Sequence, residues 1–199
     1  MKLPLVLFGL MSLAQRSTVE QAEARLVRNG YSETLDGAYW AAEKGPSIVP
    51  VLEHLLAKKS QYQKELRGAT GAFPFNVYWA LAHIPSAQAL LVLQRQTDPE
   101  DRILCRLAIK GFELRKRKKA SSFGVVGDSC PLLATASMKS KLMANLPAGT
   151  EVKILKERVA NLKELGARGG PAVYDQVLVL STRARGFIPR KGDDFSPFF

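Results

Sequence analysis

The sequence predicts an α+β multidomain protein, with an N-terminal array of short helices over about 17–114 and a strand-rich part over about 123–191. Three observations carry that expectation. A block of sequence recurs at an offset of 39 residues and reads as helices, the apolar periodicity changes from helical to alternating near residue 120, and turn residues separate the later runs. The 199 residues are 46% hydrophobic and 24% charged, as in ordinary folded chains. With 29 Lys and Arg against 18 Asp and Glu, the formal net charge is +11. Two Cys exclude a disulfide-rich scaffold, and two His cannot alone fill a multi-histidine metal centre.

The first fourteen residues carry one cation, Lys2, then an apolar run, then Ser12 and Ala14 spaced as in a small-residue cleavage site. They read as a secretory signal peptide cut after Ala14, which places the protein in the periplasm or outside the cell. The run is shorter than the ~20 residues of a spanning helix, so no membrane span is expected. Pro4 and the single cation keep a second reading open, in which residues 1–14 form a buried first helix of a cytoplasmic protein.

Ser17-x-x-Glu20 forms a capping box for a helix that ends before Asn29-Gly30. The repeat follows. Tyr39-Trp40-Ala41 recurs as Tyr78-Trp79-Ala80, Pro46-Ser47 as Pro85-Ser86, and Leu52 as Leu91. Residues 38–44 and 77–83 are expected as short helices, each stopped by a proline and followed by a leucine-rich helix. Thr97-Asp98-Pro99-Glu100 then caps another helix, whose buried stripe is Ile103, Leu104, Leu107, Ala108 and Leu114.

The stretch from Tyr78-Trp79-Ala80-Leu81-Ala82-His83-Ile84-Pro85 to Asp98-Pro99-Glu100-Asp101-Arg102 resembles a HEAT-type repeat, and the resemblance covers about 17–114. It implies stacked helix pairs with a protein-binding surface. One aromatic of each couple, Tyr39 with Trp40 and Tyr78 with Trp79, is expected to face the stack while the other meets a partner.

Arg115-Lys116-Arg117-Lys118-Lys119 forms a basic linker over 115–122, with two readings: a solvated helix end, or an anion patch for phosphates, lipid or acidic glycan. Beyond it, Leu142, Ala144 and Leu146 lead into the turn Pro147-Ala148-Gly149, and Thr150–Leu155, Val173–Leu180 and Gly186–Pro189 read as strands. Leu146-Pro147-Ala148-Gly149-Thr150-Glu151-Val152, then Tyr174, then Gly186-Phe187-Ile188 resembles a bacterial SH3-type domain over about 123–191. The resemblance implies a small barrel with a peptide or cell-wall glycopeptide groove near Tyr174 and Phe187. Residues 157–172 depart from the family pattern as a long loop. In the 192–199 tail, Phe195, Phe198 and Phe199 either pack back on the barrel or dock elsewhere.

No dinucleotide, phosphate-loop, zinc-protease or serine-hydrolase motif occurs, so no enzyme, catalytic residue, metal or cofactor is expected. His54 and His83 read as surface or packing residues. Cys105 reads as a buried apolar thiol, with a Cys105–Cys130 disulfide as the alternative that export permits. Export and the lack of a base-stacking aromatic stripe argue against nucleic acid. The expected function is therefore that of an exported, non-enzymatic binding or scaffold protein for a protein, peptide or cell-envelope glycopeptide. The alternative is a structural assembly factor whose barrel packs on the repeats without a small ligand.

Overall fold

The structure is a computed structural model that describes residues 13–28, 36–66, 73–166, 169–190 and 198–199. Met1–Ser12, Asn29-Gly30 and most of the tail lie outside the described residues. Helix α1 spans Leu13–Ala22 and continues into a wider π-type turn, Glu23–Arg28. It starts upstream of the expected capping box, because Leu13, Ala14, Gln15 and Arg16 are all strong helix formers. Leu13 and Ala14, on the near side of the expected signal cleavage, are therefore helical.

The next helices are α2 (Asp36–Lys44), α3 (Val49–Ala57), α4 (Lys59–Glu65), α5 (Phe75–His83), α6 (Ala87–Arg95) and α7 (Arg102–Lys118). The bounds of α2 and α5 lie 39 residues apart at both ends, in step with the sequence repeat. Gly45, at φ 64°, ends α2, and a 3-10 turn, Gly45–Ile48, leads into α3. At α6 the Ser86 hydroxyl accepts the Gln88 and Ala89 N–H groups at 3.1 and 3.4 Å. Pro99 does not open α7 as expected: the Asp98 carboxylate accepts the Glu100 N–H at 3.0 Å, which holds residues 99–101 in a turn and delays the helix to Arg102.

Helix α5 is central, and Asn76 to Ala82 are all buried because α2, α6 and α7 surround it. Beside it Lys59, almost wholly buried, lies 2.8 Å from Asp98 and 2.9 Å from Asp101, and Asp101 also accepts the Tyr78 hydroxyl at 2.7 Å. The arrangement ties α4, α5 and the start of α7 together through paired rather than isolated charge.

Six antiparallel strands form an open, curled sheet in the order β1-β4-β5-β6-β2-β3. They are β1 (Phe123–Val125), β2 (Cys130–Leu133), β3 (Leu142–Leu146), β4 (Glu151–Leu165), β5 (Pro171–Val179) and β6 (Arg185–Pro189). The protein is thus α+β. The expected loop over 157–172 is instead mostly strand: β4 runs through it, paired with β5 out to Leu165–Pro171 across three irregularities in register. Its alternating Val159, Asn161 and Lys163 can follow a twisted ladder because bulges absorb the mismatched residues. At one of them Arg158 takes φ 55° and donates its N–H to the Asp175 carboxylate at 3.0 Å.

The expected linker is also absent as a separate segment. Helix α7 continues through Arg115–Lys118, ends in a left-handed Lys119, and packs on β1. Phe198 and Phe199 complete the junction. Phe199 exchanges backbone hydrogen bonds with Val125 at 2.8 and 2.9 Å, while the Phe198 carbonyl accepts the Trp79 indole N–H at 2.7 Å. Phe199 lies against Phe75, at 4.9 Å between ring centroids, within the helical core, and Phe198 belongs to the sheet core with Val126, Val152 and Ile188. Gly111 on α7 and Gly124 on β1 make room for them: a Cβ at Gly111 would stand 2.7 Å from the Phe199 backbone, and one at Gly124 would stand 2.9 Å from the Phe198 Cβ.

Candidate ligand site at the helix–sheet junction

Two adjoining cavities open at this junction. The first, about 460 Å³, is lined by Ala82, Pro85, Ala87, Leu90 and Phe112 as an apolar floor, with Ser86, Lys116 and Lys119 among its polar groups. The second, about 380 Å³, lies between α2, β1 and β4 and is lined by Tyr39, Glu43, Trp79, Phe123 and Glu157 among others. His83, Arg115 and Ser121 line both and form the wall between them.

Local sequence explains that wall. His83, the last residue of α5, stacks on Trp79 at 3.6 Å between ring centroids, and its Nδ1 lies 2.8 Å from the Trp79 carbonyl. Facing a carbonyl, Nδ1 carries the proton and Nε2 is left as an acceptor. Burial, reinforced by the nearby Arg115 charge, holds the imidazole well below its usual range, so it is neutral at physiological pH. Arg115 donates to the Ala82 carbonyl at 2.7 Å and to the Phe123 carbonyl at 3.2 Å, joining α5 to β1. Burial pushes it down to about 10, which leaves it charged at neutral pH.

The five-cation run divides: Arg115 leaves it for the junction, while Lys116, Arg117, Lys118 and Lys119 are all exposed, as in a solvated helix end. Arg115 is drawn into the junction because it shares a helix face with Ala108, Gly111 and Phe112, all buried. Arg117 pairs with Glu151 at 3.0 Å, and Lys118 lies 5.9 Å from the Phe123 ring centre. Lys116 and Lys119 remain exposed at the rim of the first cavity.

Of the expected contact residues, Tyr39 and Trp79 line the second cavity, while Tyr78, Trp40, Phe187 and Tyr174 line neither. Tyr78 and Trp79 are both buried, Tyr78 on Asp101 and Trp79 under Phe198, since a helix enclosed on three sides leaves neither aromatic free. Tyr39 is half-buried and meets Trp79 edge-on at 4.8 Å, and Trp40 lies under Arg25 and Lys44 at 5.3 and 5.8 Å. His54 is half-buried on α3, away from both cavities. Phe187 is half-buried in β6, opposite Gln176 and Leu133.

Tyr174 is fully buried and lines neither of these two cavities. The long β4–β5 arm folds over it, and its hydroxyl donates to Glu164 at 2.7 Å. Glu164 also accepts the Ser137 hydroxyl and the Met138 N–H, the latter at 3.0 Å. Ser137, Tyr174 and Met138 together hold Glu164 at about 2, against an ordinary 4.5. A depressed carboxylate stabilises the arm above the unfolded value and loses that contribution as pH falls through the folded one. Released contacts between the arm and residues 137–138 are thus expected between about pH 4.5 and pH 2, read from the Met138 amide shift. A midpoint at 4.5 would show that Glu164 is unpaired.

Neither Cys105 nor Cys130 is in a disulfide. Burial raises the Cys105 thiol, so it is protonated at neutral pH, the opposite of what a nucleophile requires. Among the described residues no cluster of three or more His, Cys, Asp or Glu is placed to hold a metal ion, and no helix is long and apolar enough to cross a membrane. Compared with protein-family models, curated proteins and solved structures, the chain shows no match.

Proposed function

We propose that this protein acts by recognition without turnover, as an exported binding protein whose junction cleft takes an acidic peptide segment, free or borne on a cell-wall glycopeptide. The observation that carries the reading is a pair of adjoining cavities that share His83, Arg115 and Ser121, which offers an extended ligand room on both sides of these residues. Lys116 and Lys119 supply charge for a carboxylate, and Ala82, Pro85, Leu90 and Phe112 supply an apolar floor for an aliphatic neighbour. We read the helices as a HEAT-like array and the sheet as an SH3-like half-barrel, with recognition at their boundary.

The test is titration with acetyl-Leu-Glu-Leu-Glu-amide and its Gln counterpart. Binding of the acidic peptide, weakened about tenfold or more by Lys116→Gln with Lys119→Asn, is the expected result. Asn suits the left-handed position of Lys119, so the fold is retained. Equal affinity for both peptides, or for wild type and variant, would refute the site.

The tight junction around Phe198 and Phe199 favours a second reading, a structural assembly unit whose sheet packs on the helices with no ligand. That reading expects neither peptide to bind.

A further inference from the structure

The far end of the sheet carries an apolar, basic tip independent of the junction cleft. Leu162 and Leu165 near the end of β4 are 84% and 83% exposed, and Met138 in the β2–β3 connection is 61% exposed. Leucines this open at the end of a long strand are not explained by the fold, since no core lies beneath them. The two hairpins are fastened side by side: Glu164 accepts from Ser137 and Met138, and the Asn161 amide donates to the Ala136 carbonyl at 2.8 Å. The three apolar side chains therefore stand exposed on two neighbouring segments that brace each other. Lys139, Lys141 and Lys163 stand exposed in the same segments. The acid among them, Glu164, is occupied by its three donors.

We propose that this tip docks the protein on an anionic lipid surface, with Leu162, Leu165 and Met138 entering the interfacial layer and Lys139, Lys141 and Lys163 meeting lipid phosphates. Charge complementarity selects this occupant over a second copy of the chain, because a contact between two such tips would bring two lysine clusters together on a protein of net charge +11. A fluid interface also suits side chains that protrude singly, as it needs no matching pocket. Lysine stems can lie along the acyl boundary while their ammonium groups reach the headgroups.

The test is co-sedimentation of the full chain with vesicles of phosphatidylcholine containing phosphatidylglycerol, compared with phosphatidylcholine alone. The anionic vesicles are expected to bind the protein, and added salt to release it. Leu162→Asn with Leu165→Asn should weaken binding about tenfold or more, and each Lys→Gln at 139, 141 or 163 about fivefold. The thermal midpoint should be unchanged, because these side chains are exposed. Equal binding to neutral vesicles would overturn the proposal. So would binding that survives the leucine replacements but is lost with Lys116→Gln and Lys119→Asn, which would assign the lipid contact to the junction. Dimerisation in solution abolished by the leucine variant would assign the tip to self-association instead.

Discussion

Phe198→Ala is expected to lower the unfolding free energy by about 3–5 kcal/mol, the usual range for truncating a buried aromatic. The ring is 2% exposed and packs in the sheet core with Val126, Val152 and Ile188, so little of the lost volume can be refilled by collapse. The same residue presents its carbonyl to Trp79 and its Cβ to Gly124, so the change loosens both sides of the junction. Urea unfolding followed separately by tryptophan fluorescence and far-ultraviolet circular dichroism reads the effect. Both tryptophans lie in the helices, so coincident transitions at a lower midpoint indicate one cooperative body. A loss below about 1 kcal/mol would mean that residues 198–199 do not support the core.

The second large effect is at Asp175 and Arg190. Asp175 is fully buried, and the Arg190 guanidinium grips it through Nε at 3.0 and 2.9 Å and Nη2 at 2.8 Å. Arg190→Met strands a buried carboxylate and should cost about 3–5 kcal/mol, as should Asp175→Asn by stranding the guanidinium. Replacing both, as Asp175→Leu with Arg190→Met, should recover much of the loss, since apolar pairs of similar volume often match a buried ion pair. With Asp175→Leu as the matching single variant, a double-variant loss equal to the sum of the two single losses would show that the pair adds no coupling.

These two positions also mark the limits of reading the chain as a string. The Tyr-Trp-Ala repeat and the alternation in 150–155 and 173–180 are local patterns, and the helices and strands lie on them. Asp175 sits in an alternating strand where nothing nearby in sequence identifies Arg190 as its partner. The places of Phe199 and Phe198 depend on Gly111 and Gly124, which lie 88 and 74 residues earlier. A glycine within a helix, flanked by buried Ala108 and Phe112, was the available sign that a backbone passes close.

The junction cleft was partly legible. Helical spacing from Ala108 and Gly111 places Arg115 on the buried face, yet the five consecutive cations present it as one of a solvated set. Tyr174 was misplaced for the opposite reason. An aromatic in a strand has two faces available, and only the fold-back of the β4–β5 arm through Glu164 covers it.

Amide spectra of the full chain titrated with acetyl-Leu-Glu-Leu-Glu-amide locate the ligand on the fold. A ligand in the cleft should shift His83, Ser86 and residues 115–121 on the helical side together with residues 122–124 on the sheet side. Shifts confined to β6 around Phe187, with the junction unmoved, would contradict the account and return recognition to the sheet.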